Sequence, residues 1–189
     1  MKYVSEFRKY FAKEKTFSFN DALMLLRHLG SSDAYAKLFV HQMIKKGEVK
    51  RVGKGIYTFS NDDAIVGFAF SPFYYGLEHA LTIRKLWTQV SDPVIITKAG
   101  AKPGVRQAMG RRIIVHRIAS GAFFGYEYLK YSGIFVPVSN LEKTLVDFVY
   151  YGIGIGNGEI RKLVRQADRK RLISYSKKMG VNPEIFERA

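Results

Sequence analysis

Residues 31–59, SSDAYAKLFVHQMIKKGEVKRVGKGIYTF, decide how the first third of the chain folds. Ser31, Ser32 and Asp33 carry the short oxygen-bearing side chains that accept from the free N–H groups of a first helical turn. Ala36, Val40, Met43 and Ile44 then follow the i, i+4, i+7, i+8 spacing of one buried helix face. Gly47 suits the left-handed position that stops a helix. A helix over Ala34–Lys46 is therefore predicted. Its other face would carry Tyr35, Lys37, His41, Gln42, Lys45 and Lys46, which can donate to phosphates and base edges. Val49–Val52 and Ile56–Ser60 are short β-rich runs joined by Gly53-Lys54-Gly55, a tight-turn signal, and Lys50, Arg51 and Lys54 sit on the resulting hairpin.

The residues before this stretch extend the pattern. Val4–Lys13 reads as an amphipathic helix with Val4, Phe7 and Phe11 on one side. Phe17–Asn20 reads as a break, and Asp21–Leu29 as a second helix closed by Gly30. Three helices and a hairpin within 60 residues follow the winged helix-turn-helix order, in which the third helix enters a major groove. Residues 1–60 hold 12 Lys and Arg against 5 Asp and Glu.

The whole chain is strongly basic, with 31 Lys and Arg against 16 Asp and Glu in 189 residues, a net charge of +15. Such an excess attracts a polyanion. No 18-residue apolar run exists, so a membrane partner is not expected. With 47% hydrophobic and 14% aromatic residues the chain can bury a core. The absence of Cys excludes disulfides, Cys-based zinc sites and thiol nucleophiles. The start, MKYVSEFRKYF, is charged and lacks a secretory apolar region, so a cytoplasmic location is expected.

Asn61-Asp62-Asp63 marks a change in composition, giving expected domains at 1–60 and 61–189. The second half reads as mixed α/β. Ala64–Phe70 is a short helix or a link, Phe73–Leu77 a strand or turn, and Glu78–Trp87 a helix. Strands are expected at Pro93–Thr97 and Arg112–Ile118, with Lys98–Gly110 as a long loop between them. Phe124–Tyr131 and Gly133–Val138 flank a hairpin signal at Ser132-Gly133. Ser139-Asn140 would cap a helix running to Tyr150, Gly152–Gly158 would form a break, and Glu159–Ala167 and Arg169–Met179 would close the chain as basic helices. The fold class expected is α+β: an N-terminal winged helix-turn-helix, then a mixed α/β domain with a helical tail.

Several fragments together resemble the AbiEi family of antitoxin-regulators. They are KGEVKRVGKGIYTF at 46–59, SPFYYGLEHALTIRKLWTQ at 71–89, VPVSNLEKTLVDFVYYG at 136–152 and DRKRLISYSKKMGVN at 168–182. The resemblance spans most of residues 20–180. Glu78 stands where the family often has Ser before its His, and Lys85-Leu86-Trp87 replaces a Gly. The resemblance implies a winged helix joined to an α/β domain. It also implies repression of the chain's own promoter, and neutralisation of a nucleotidyltransferase toxin in a phage-defence toxin–antitoxin pair. Residues 32–54 would read double-stranded DNA, which adds Ser32 to the candidate contacts.

The sequence carries few signals of other chemistry. His28, His41, His79 and His116 form no HExxH pair. A metal-dependent nuclease needs clustered carboxylates beside a Lys, and in Asp92–Lys98 the second carboxylate position is Ile96. Gly30-Ser31 is followed by no Asp-x-Asp pair, so nucleotidyl transfer is not expected of this chain. Gly152–Gly158 lacks the GxGxxG spacing and reads as a linker. Glu142 and Asp147 lie five apart and share no helix face; Glu142-Lys143 would cap and solvate the helix, with Leu141, Leu145, Phe148 and Val149 on its core side. Lys98, Lys102, Arg106, Arg111 and Arg112 surround three Gly and one Pro in a loop that can wrap phosphate. Phe123, Phe124, Tyr126, Tyr128 and Tyr131 read as core or dimer surface, with stacking on single-stranded bases as the alternative.

The expected function is therefore a DNA-binding transcriptional regulator without catalysis or cofactor. Tyr35, Lys37, His41 and Gln42 would reach base edges, while Lys45, Lys46, Lys50, Arg51 and Lys54 hold phosphates. Such regulators often read two half-sites as homodimers. The alternatives are a toxin-binding module whose winged helix is only scaffold, and a metal-dependent nuclease.

Overall fold

Ser18 ends one strand and begins one helix, and this double use sets the geometry of the N-terminal unit. The computed structural model describes residues 1–187, apart from the side chain at position 157. It divides into two units, the first made of Met1–Ala69 with Gln107–Arg111, the second of the remaining described residues.

In the first unit, α1 (Val4–Phe11) buries Phe7 and Phe11. β1 (Phe17–Ser18) leads directly into α2 (Phe19–His28). The Ser18 hydroxyl accepts from the Asp21 amide at 3.1 Å, and the Asp21 carboxylate accepts from the Ser18 amide at 2.7 Å, a reciprocal cap. Residues 17–20 are thus not a plain break. Phe17 and Ser18 pair with Tyr57 and Ile56, a contact across the chain that local spacing does not announce. Gly30, with φ of +86°, turns the chain toward α3 (Asp33–Lys45). That helix buries Ala36, Phe39, Val40 and Met43, while Ile44 is half-buried. β2 (Lys50–Gly53) and β3 (Ile56–Thr58) form the wing, and the antiparallel sheet order is β1-β3-β2.

The core of this unit is aromatic. Phe7 meets Phe11, Phe17 and Phe39 with ring centroids 4.9–5.5 Å apart, and Phe11 stacks on Phe17 at 4.4 Å. Each such ring contributes on the order of 1.5–3 kcal/mol by leaving water. After the wing, Asp63–Phe70 winds as a 3-10 helix, with the Asp62 side chain accepting from the Ala64 amide at 2.9 Å.

The second unit is built on a mixed sheet. The sheet's strands are β4 (Phe73–Tyr75), β5 (Val94–Thr97), β6 (Gly104–Ala108), β7 (Arg111–Arg117), β8 (Tyr126–Tyr131) and β9 (Ile134–Ser139), in the order β6-β7-β5-β4-β9-β8, with Gln107, Ala108 and Arg111 counted in the first unit. β4 runs antiparallel to β5 and parallel to β9, and β5 runs parallel to β7. β8 and β9 form the hairpin expected around Ser132-Gly133. The helices are α4 (Leu77–Ile83), α5 (Leu141–Tyr150), α6 (Asn157–Gln166) and α7 (Arg169–Met179). The chain is thus α+β, with a winged helix first and a helical tail last.

Two expectations fail here. Lys98–Gly110 is not a continuous loop, because β6 occupies Gly104–Ala108; its mostly exposed residues at a sheet edge carry no alternating apolar signal. Glu142 and Lys143 do not solvate α5. Both are buried, and the helix is covered on nearly every side from Glu142 to Phe148.

Candidate nucleic-acid interface

The outer face of α3 follows from its inner one. With Ala36, Phe39, Val40 and Met43 in the core, the 3.6-residue period leaves Ala34, Lys37, Leu38, His41 and Lys45 outside, and all five are exposed. Lys46, the residue after the helix, is exposed as well. Ser32 caps the helix, its hydroxyl accepting from the Tyr35 amide at 3.3 Å. The positive end of the helix dipole favours an anion there. Asp33 lies in the same turn, held by Arg27 through two bonds of 2.6 and 2.5 Å. The hydrogen bond from Arg27 keeps this carboxyl below its ordinary range, so it stays ionised and paired.

Two of the proposed base readers are partly committed elsewhere. Tyr35 is half-buried; its hydroxyl donates to the Lys2 carbonyl at 3.4 Å, and its ring meets Tyr3 edge-on at 6.2 Å. Gln42 is also half-buried, at the flank of the outer face. Lys37 and His41 stand clear. On the wing, Lys54 is exposed in the turn, Lys50 is half-buried, and exposed Arg51 donates through Nε to the Gly53 carbonyl at 3.2 Å. Leu38, exposed at the middle of the α3 face, is not among the expected residues, because an apolar side chain carries no hydrogen-bonding signal for DNA contact.

The second basic group has a different character. Arg111 pairs with Asp63 at 2.8 Å and Arg112 with Asp92 at 3.0 Å. Arg106 donates to the Lys102 carbonyl and lies over the Phe70 ring, and Lys98 lies over Phe123. Lys102 is exposed. These cations are distributed along β6, β7 and their connections rather than gathered in one open loop. Among the aromatics, Tyr126 stacks on Tyr74 at 5.5 Å and Phe123 packs beside both, while Tyr128 is exposed.

Sequence reasoning missed a buried polar cluster in the second unit. Lys143 and Asp147 are ion-paired one turn apart on α5 with no side-chain exposure. Lys143 Nζ donates to the Tyr74 hydroxyl at 2.9 Å, which donates to Asp147 Oδ2 at 2.9 Å. Burial pushes the Asp147 carboxyl up to about 6 against the counter-pull of Lys143, and burial lowers the Lys143 ammonium. Its i, i+4 spacing was the available signal. Beside it, Glu142 accepts from the Asp168 amide at 2.9 Å and so ties α5 to the start of α7. The Lys143 and Asp147 side chains are thus fully buried and satisfied by one another and by Tyr74.

The histidines are dispersed: His28 and His41 are exposed, His116 is half-buried against Tyr151, and His79 is buried, with Nδ1 3.3 Å from the Ser91 hydroxyl. Among the described residues no three His, Asp or Glu side chains converge to hold a metal, and no helix is long and apolar enough to cross a membrane.

Residues 8–60 match the family model described as "Transcriptional regulator, AbiEi antitoxin". The match lies within the winged-helix unit and does not reach the segments after residue 60 that carry most of the resemblance. No curated protein matches the chain. Among solved structures, the RV2827C protein from Mycobacterium tuberculosis aligns with a TM-score of 0.63 at 14% identity, over 94% of this chain and 72% of that one. At that identity the likeness concerns the fold.

Proposed function

We propose, from the similarity of residues 8–60 to AbiEi transcriptional regulators, that this chain is a sequence-specific double-stranded DNA-binding regulator that represses its own promoter. The observation that carries the reading is the outer face of α3. Lys37, His41 and Lys45 stand exposed there, with Lys46 just after the helix and Arg51 and Lys54 exposed on the wing. In this reading residues 1–60 inspect DNA, with α3 in a major groove and the wing on phosphate. Residues 61–189 form the antitoxin-like part and engage a nucleotidyltransferase-like toxin of a phage-defence pair, in the cytoplasm. A homodimer would place two α3 helices on two half-sites.

The test is fluorescence anisotropy with duplex DNA from directly upstream of the chain's own gene, against a shuffled duplex of equal length. Tighter binding to the upstream duplex is expected, weakening steeply as salt rises from about 50 to 200 mM. Absence of binding to any duplex at about 50 mM salt overturns the proposal. Equal affinity for both duplexes removes the specific part of it.

A further inference from the structure

The exposed centre of α3 is apolar. Leu38 keeps 51% of its surface exposed, one turn after Ala34 and beside Lys37 and His41. Scattered surface leucines are ordinary. This one lies on a helix face shared with Lys37, His41 and Lys45, and Phe39, Val40 and Met43 occupy the core beneath. Leu38 is not among the residues that make up or pack against the core of this unit.

We infer that Leu38 is a specificity-determining residue that reads thymine, by packing against its C5-methyl group in the major groove. The inference rests on the proposed DNA-reading role of α3. An isobutyl side chain has neither donor nor acceptor, so hydrogen bonding cannot be its means of recognition. The apolar feature that major-groove base edges offer is the thymine methyl. Cytosine at the same place lacks that methyl and turns an N4 amino group toward the leucine, where that donor finds no partner. The same side chain thus attracts one pyrimidine and rejects the other. Its place in the second turn of α3 suits this role, because the N-terminal part of a recognition helix meets base edges.

The experiment selects preferred duplexes from a random pool with the full chain, then resynthesises the best one with deoxyuridine replacing each thymidine in turn. Uracil differs from thymine only by the methyl. The expected result is a position where this replacement weakens binding about fourfold, the effect of one buried methyl. Leu38→Ala should bind the thymine and uracil duplexes alike at that position, while its salt dependence stays that of the unaltered chain. If every thymine tolerates uracil, or if Leu38→Ala keeps the same uracil penalty, the inference is wrong although the regulator reading stands. If no duplex binds, the regulator reading fails and the inference fails with it.

Discussion

Lys143 and Asp147, one turn apart on α5, form an ion pair with no side-chain exposure. Tyr74 closes it into a triangle by accepting from Lys143 and donating to Asp147. Two charges removed from water cost several kcal/mol each before their attraction repays it, so such a pair adds little net stability. Its effect is conditional: each member is tolerable only while the other is present. Lys143 also lies over the Tyr74 and Phe124 rings, each about 5 Å away, which adds cation–π attraction to its ion pair and its hydrogen bond.

That condition predicts a non-additive mutant cycle. Asp147→Leu alone should lose about 3–5 kcal/mol, because it leaves Lys143 buried and unpaired. Adding Lys143→Met should restore most of the loss. Urea unfolding followed by circular dichroism reads both. Additive losses would mean that the two side chains do not depend on each other.

The same pair gives a pH signature. Asp147 titrates at about 6 when folded and near 3.8 when unfolded, so folding takes up a proton between those values. A raised carboxyl contributes stability that is complete below its unfolded value and lost as pH rises through its folded one. Unaltered protein should therefore gain on Asp147→Asn as pH falls from about 7 to 4, by on the order of 3 kcal/mol. A constant difference across that range would place the carboxyl near its ordinary value.

The first unit was legible because its signals are local. Ser32, the apolar spacing of α3 and Gly47 act within a few residues of each other, and they place the helix within one residue of Asp33–Lys45. β1 escaped because two residues make a strand only by pairing with β3, some 40 positions later. Glu142 and Lys143 depart from the solvated reading for a related reason. Polar types imply solvent, and only the folded chain shows that α5 is covered nearly all round. On α3, spacing separated inside from outside, but it could not foresee that Lys2 and Tyr3 would occupy Tyr35.

On the wing, Arg51 is exposed, and the proposed regulator reading assigns it to a phosphate. Arg51→Ala should weaken binding to all duplexes alike and flatten the slope of log K against log salt by about 0.9. Gln42→Ala, at the flank of α3, should instead cost on the order of 1–3 kcal/mol at one base pair. Anisotropy titrations at several salt concentrations, on the preferred duplex and its single-base variants, separate the two behaviours. A change in preferred sequence with Arg51→Ala would reassign it to a base edge.

Gly125 has two reasons to be glycine, and they can be separated. Its φ is +72°, a region where a Cβ is strained, and an added Cβ would lie 2.9 Å from Lys143 Cβ and 3.0 Å from Tyr175 Cε2. Gly133 has the strain alone: φ is +83°, and nothing lies within 4 Å of an added Cβ. Gly133→Ala should therefore cost about 1 kcal/mol, the price of the backbone conformation. Gly125→Ala should cost more, on the order of 2–4 kcal/mol, because the buried stem of Lys143 cannot shift without disturbing its contacts with Asp147 and Tyr74. Equal losses for the two glycine variants in thermal unfolding would mean that the approach of Gly125 to Lys143 carries no energetic weight.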